Sequence, residues 1–202
     1  PMITKDDKRE LLPKQGTKYT ALITIDTGKK LAAFFNVGLI SSQFYSKLAK
    51  DAKGKKLTPK SVVTDTANNK LRNFLGGGLD KKRFSLLDEL GKAGQTNKIY
   101  LALFELEQED LLQKLIKIGS RCHLILANGA AKNKAEDKNE RARKALQDSD
   151  VNLYNRMVGS GHLAHNKFMV ITDKKDKPLQ VFTGSTNWTP NGIFGQVNNG
   201  IL

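Results

Sequence analysis

Residues 98–127, KIYLALFELEQEDLLQKLIKIGSRCHLILA, decide the fold. Residues 98–104 are a short apolar run and read as a buried strand. Residues 109–118 place Leu111, Leu112, Leu115 and Ile118 on one face at helical spacing, and Gly119 ends that helix. Residues 122–127 form a second apolar run, closed by the turn pair Asn128-Gly129. Outward from this unit the alternation continues. Residues 83–92 put Phe84, Leu87 and Leu90 on one helical face, and residues 134–147 read as a highly charged helix. Residues 151–154, 168–172 and 180–183 read as three further strands. Asp176-Lys177-Pro178 makes a turn between the last two, which predicts an antiparallel pair. The class is α/β: a mixed β-sheet covered by helices.

The N-terminal part reads differently. Residues 19–26 alternate and carry β-branched side chains, Thr27-Gly28 turns, and residues 30–36 return, which predicts a hairpin. Ser41 or Ser42 caps a helix over residues 43–51, and residues 50–60 form a basic loop. Gly76-Gly77-Gly78 lacks the Lys-Ser/Thr follow-on of a phosphate-cradling loop and predicts a flexible connection. The expected division is a basic N-terminal segment, 1–78, and an α/β domain, 79–202.

The chain has 202 residues, enough for one substantial domain. With 39% hydrophobic and 27% charged residues, the composition is that of a globular chain and not a disordered one. No apolar run is long enough to span a membrane as a helix. The single cysteine, Cys122, excludes an internal disulfide and is compatible with a reducing compartment such as cytoplasm. Net charge is +14, and the first 60 residues hold 13 basic against 5 acidic residues, over half of the excess. Such an excess attracts polyanions, whether nucleic acid or anionic lipid head groups. The chain opens Pro1-Met2 and closes Gly200-Ile201-Leu202, which reads as the start of a strand, so an internal piece of a longer protein is expected.

The chemistry concentrates near the C-terminus. His165 and Lys167 stand two apart at the entry to a strand, so they project to the same side. Ser185 and Asn187 do the same directly after the next strand. If the two strands pair as a hairpin, an imidazole, an ammonium, a hydroxyl and an amide meet, with Gly184 leaving space for a ligand. These groups suit a phosphodiester. Lysine balances the charge of the non-bridging oxygens, and hydroxyl and amide donors stabilise the transition state. A neutral imidazole can attack phosphorus to form a covalent intermediate. His162 and His165 lack nearby acidic or thiol partners, so no metal or other cofactor is expected. His162 is expected to shape the loop at the site, and His123 to be structural. Glu105 follows a strand's carboxyl end, where ligands gather in open α/β sheets.

His165-Asn166-Lys167 followed by Gly184-Ser185-Thr186-Asn187 resembles the signature of the phospholipase D superfamily, with the motif region covering residues 161–199. The resemblance implies an α/β/α sandwich with helices on both faces and a phosphodiesterase. In it His165 is nucleophile or acid partner, and Lys167, Ser185 and Asn187 bind phosphate. Asp173 lies one residue beyond the family's Asp position, which Thr172 occupies. Asn198 and Asn199 stand where the family often carries an acid. The family's site joins two such motifs. His123 and His162 are not followed by lysine two residues on, so this chain carries half a site. The other half is expected from a homodimer partner or from a missing part of the same chain. A second reading is an inactive half that binds polyanions or scaffolds a two-lobed protein.

Overall fold

The computed structural model describes residues 24–26, 30–36, 69–133, 135–159 and 161–202. Residues 19–23 of the expected first strand, the expected helix at 43–51 and the loop at 50–60 lie outside them. Among the described residues one mixed sheet runs through eight strands: β1 (Thr24–Asp26), β2 (Lys30–Phe35), β3 (Lys98–Leu103), β4 (Cys122–Ala127), β5 (Asn152–Arg156), β6 (Lys167–Thr172), β7 (Pro178–Gly184) and β8 (Asn199–Ile201). Their spatial order is β1-β2-β8-β7-β6-β3-β4-β5. β3, β4 and β5 are parallel neighbours, and every other pairing is antiparallel.

The parallel part forms because α1 (Asn69–Leu90) leads into β3, α2 (Glu109–Ile118) joins β3 to β4, and α3 (Glu140–Gln147) joins β4 to β5. Right-handed crossovers in one direction put α2 and α3 on the same face. Ile99, Leu101 and Leu103 of β3, Leu124 and Leu126 of β4, Met169 and Ile171 of β6 and Phe182 of β7 fill the core on that face. They pack against Leu79, Leu87, Leu111, Leu115 and Leu146 of the helices. The expected mixed sheet with flanking helices is present. Among the described residues the helices lie on this one face. On the other, Ile125, Tyr154, Leu179 and Val181 are exposed. His123, expected to be structural, is half-buried on that open face and stacks on Tyr100 with ring centroids 4.5 Å apart.

Three local readings change. The glycine triplet is not a flexible connection but a kink inside α1, where Gly77 takes φ 53° and ψ −147°. A Cβ at Gly77 would meet the Phe35 carbonyl at 2.7 Å, so the kink lets α1 close on β2. The expected boundary at residue 78 falls next to this kink, and the β1–β2 hairpin joins the same sheet through β8. The charged helix expected from residue 134 starts only at Glu140. Before it, Asn133 Oδ1 accepts the N–H groups of Ala135 and Glu136, and Asp137 Oδ1 accepts that of Asn139. These side-chain turns compete with helix. Asn139 then anchors the helix start, donating to the carbonyls of Phe104 (2.9 Å) and Ala127 (2.8 Å) and accepting the N–H of Leu106 at 2.9 Å.

Candidate functional site

The carboxyl ends of β3 and β4, the start of β6 and the end of β7 share one edge of the sheet. The register is direct: Lys167 stands opposite Leu103, and Phe168 opposite Thr183. The β6–β7 hairpin therefore brings Lys167 beside Gly184, as the alternation of the two strands predicts. His165 lies just before β6, and the Phe104 N–H donates to the Asn166 carbonyl at 2.8 Å, tying this entry to β3.

His165 is largely exposed, but the Phe104 ring packs edge-on against it, centroids 4.6 Å apart. This loss of hydration, with the charge of Lys167 second, pushes the imidazole below its ordinary pKa. It is thereby biased towards the neutral form. Lys167 is buried; its Nζ donates to the His165 carbonyl at 3.2 Å and lies 5.2 Å from the Phe104 ring centroid. Burial lowers its pKa, and the carboxylate of Glu105 opposes that.

On the other side of the hairpin the Ser185 hydroxyl donates to Asn198 Oδ1 at 2.8 Å and accepts the Asn199 N–H at 3.1 Å. Asn187 Nδ2 donates to Glu105 Oε2 at 2.6 Å, while its Oδ1 is buried with no partner. Trp188 is buried, and its carbonyl accepts the N–H groups of Glu107 (2.9 Å) and Gln108 (3.1 Å). This clamps the segment after Asn187 to the chain after β3. Glu105, expected at the pocket, is thus joined to it by a hydrogen bond. Burial raises its pKa, and Glu107 adds to that.

Other expected residues stand elsewhere or act otherwise. Asp173 sits at the far end of β6, where Oδ1 accepts the N–H groups of Lys175 and Lys177 and so builds the β6–β7 turn. Six strand residues separate it from the entry, roughly 20 Å at the usual rise. Gly184 makes room for β8 and not for a ligand: a Cβ there would meet the Asn199 carbonyl oxygen at 2.2 Å. Asn199 enters through its backbone, its carbonyl accepting the Ser185 N–H at 3.2 Å and the Thr186 hydroxyl at 3.0 Å. His162 is exposed and lines a cleft of about 350 Å³ with Arg156, Met157 and Leu163.

Two contributors escape sequence reasoning: Phe104 and Asn36. Asn36 donates to the Gln196 carbonyl at 2.8 Å and accepts the Asn198 N–H at 2.6 Å. It stands more than 150 residues before the loop it holds, and no local pattern announces that. No group of three or more His, Cys, Asp or Glu side chains among the described residues is arranged to hold a metal ion.

The chain is similar to several solved structures. NucT from Helicobacter pylori is 14% identical, with a TM-score of 0.42 over 60% of this chain and 76% of that one. Nuc from Salmonella typhimurium, a phospholipase D family member, is 16% identical, with a TM-score of 0.40 over 59% of this chain and 72% of that one. Yeast tyrosyl-DNA phosphodiesterase is 17% identical, with a TM-score of 0.37 over 57% of this chain and 27% of that one. Comparison with curated protein sequences found no match. Residues 86–202 match the family described as "Cardiolipin synthase, PLD-like domain", over half of the 202-residue chain and including the whole β6–β7 site. The chain therefore belongs to the family of phospholipase D-like domains.

Proposed function

We propose that this chain supplies one half of a phosphodiesterase site that works through a phosphohistidine and without a metal ion. The observation that carries the reading is the convergence of His165, Lys167, Ser185 and Asn187 on one sheet edge through the β6–β7 register. A neutral imidazole nitrogen of His165 attacks phosphorus as the bond to the leaving oxygen breaks, and that oxygen takes a proton from the second half-site. Water then attacks phosphorus, gives a proton back to the second half-site and displaces the imidazole, which restores both groups. Lys167, Ser185 and Asn187 hold the non-bridging oxygens as charge develops on them. The second half comes from a homodimer partner or from further sequence of the same polypeptide.

The charge of +14 favours nucleic acid over phospholipid as the substrate. Duplex DNA binding is then expected to weaken steeply with salt, with a slope in log affinity of about −0.9 for each phosphate contacted. A flat slope, with binding to anionic vesicles instead, moves the substrate to lipid. The single cysteine suits cytoplasm; Cys122 is buried, which pushes its thiol pKa up to about 12. No helix among the described residues is long and apolar enough to cross a membrane.

A second reading has its own observation. The Ser185 hydroxyl is committed to Asn198, an amide where the family often has an acid. A non-catalytic half that binds polyanions accounts for that. Turnover of bis(p-nitrophenyl) phosphate by the full-length protein in excess EDTA separates the two. Turnover supports the phosphodiesterase, and binding of DNA without turnover supports the second reading. Loss of turnover in EDTA, restored by a divalent metal, contradicts the metal-free mechanism.

A further inference from the structure

The carboxylate of Glu105 belongs to neither strand of the β6–β7 motif, yet it reaches the motif's far member. It comes from the chain just past β3, 82 residues before Asn187, and accepts that amide at 2.6 Å. The loop after β4 is shaped around it. The Ala130 backbone faces the carboxylate and favours its charged form. Gly129 takes φ 66°, and a Cβ there would meet Glu105 Cγ at 3.4 Å and Lys138 Cβ at 2.9 Å. The charged groups facing Glu105 are Lys167, of opposite sign, and Glu107, of like sign.

We propose that Glu105 is a positioning residue that fixes which end of the Asn187 amide a phosphate meets; this rests on the reading of Asn187 as a phosphate binder. A side-chain amide can turn over and exchange its oxygen for its nitrogen. Turned over, Asn187 would set its Oδ1 against the Glu105 carboxylate, lone pair against lone pair. The carboxylate excludes that orientation. One N–H is spent on Glu105, and the second is left for a phosphate oxygen. The buried, unpartnered Oδ1 shows that no other group in the described structure holds the amide this way round. The arrangement also sets an acid from the chain after β3 beside Lys167, in a site whose own motif carries amides at the usual acid position.

The test compares Glu105→Gln with Glu105→Ala in the full chain, using inorganic phosphate as the probe. Gln is the same size, keeps an oxygen to accept from Asn187 and removes the negative charge. Ala removes both. The Asn187 side-chain amide resonance is expected to stay near its wild-type position in Glu105→Gln and to move in Glu105→Ala. Phosphate affinity is expected to fall about fivefold in Glu105→Ala, the size of one lost hydrogen bond. In Glu105→Gln it is expected to match or exceed wild type. A merely repulsive carboxylate gives the opposite sign, tighter binding in both variants, and that result overturns the proposal. An unchanged Asn187 resonance in a folded Glu105→Ala protein also overturns it. If wild type binds no phosphate, the phosphate-site reading fails, and the amide resonance alone still decides whether Glu105 holds Asn187.

Discussion

Ser185 Oγ and Asn198 Oδ1 lie 2.8 Å apart, the hydroxyl donating to the amide oxygen. The Asn199 N–H returns to the same hydroxyl at 3.1 Å, so Ser185 joins the end of β7 to the start of β8 before any ligand arrives. A phosphate oxygen must compete with Asn198 for this proton.

Ser185→Ala is therefore expected to weaken phosphodiester turnover and not to abolish it. One preorganised donor to a developing anion is worth roughly 3–4 kcal/mol, or about a hundredfold to a thousandfold in kcat. Steady-state kinetics on bis(p-nitrophenyl) phosphate read this. A Ser185→Ala rate equal to wild type removes the hydroxyl from the site.

Gly184→Ala is expected to destabilise the protein. Its methyl group would lie 2.2 Å from the Asn199 carbonyl oxygen and 2.8 Å from Gly200 Cα, both backbone atoms of β8. Overpacking of this kind costs about 1–3 kcal/mol. Thermal unfolding of the variant measures it, and an unchanged Tm contradicts this account of the glycine.

The pH dependence has a definite sign. The His165 pKa is lowered, first by burial against Phe104 and then by Lys167. The imidazole is therefore neutral at pH 7, and the covalent step is lost only as pH falls through a value below the ordinary histidine pKa of about 6.5. Lys167→Met removes the like charge and is expected to raise the His165 pKa. NMR titration of His165 checks both, and a lower value in Lys167→Met contradicts the electrostatic assignment.

The β6–β7 site was legible because it depends on two local facts: strand side chains alternate with period two, and a short turn joins the strands. Those facts place Lys167 beside Gly184 without knowledge of any other element. The βαβ core was legible for a similar reason, since Leu111, Leu112, Leu115 and Ile118 mark the inner face of α2 directly. What stayed hidden is non-local. The need for glycine at 184 comes from β8, which follows fifteen residues later and crosses at backbone distance. The Asn36 amide holds a loop more than 150 residues away. The late start of α3 reflects side-chain turns at Asn133 and Asp137 that outweigh a helical pattern of charges. Asp173, read as a supporting residue away from the phosphate, stands a strand's length from His165 and builds the β6–β7 turn.

The central claim is that the His165 imidazole becomes covalently bonded to phosphorus. Its direct measurement is a denaturing quench of the full-length protein at alkaline pH during turnover of bis(p-nitrophenyl) phosphate, followed by mass spectrometry of the peptide that contains residue 165. An acid-labile phosphoryl adduct on His165, absent together with turnover in His165→Ala, is the result this account predicts. Full turnover in His165→Ala, under conditions where the wild type is active, would contradict it.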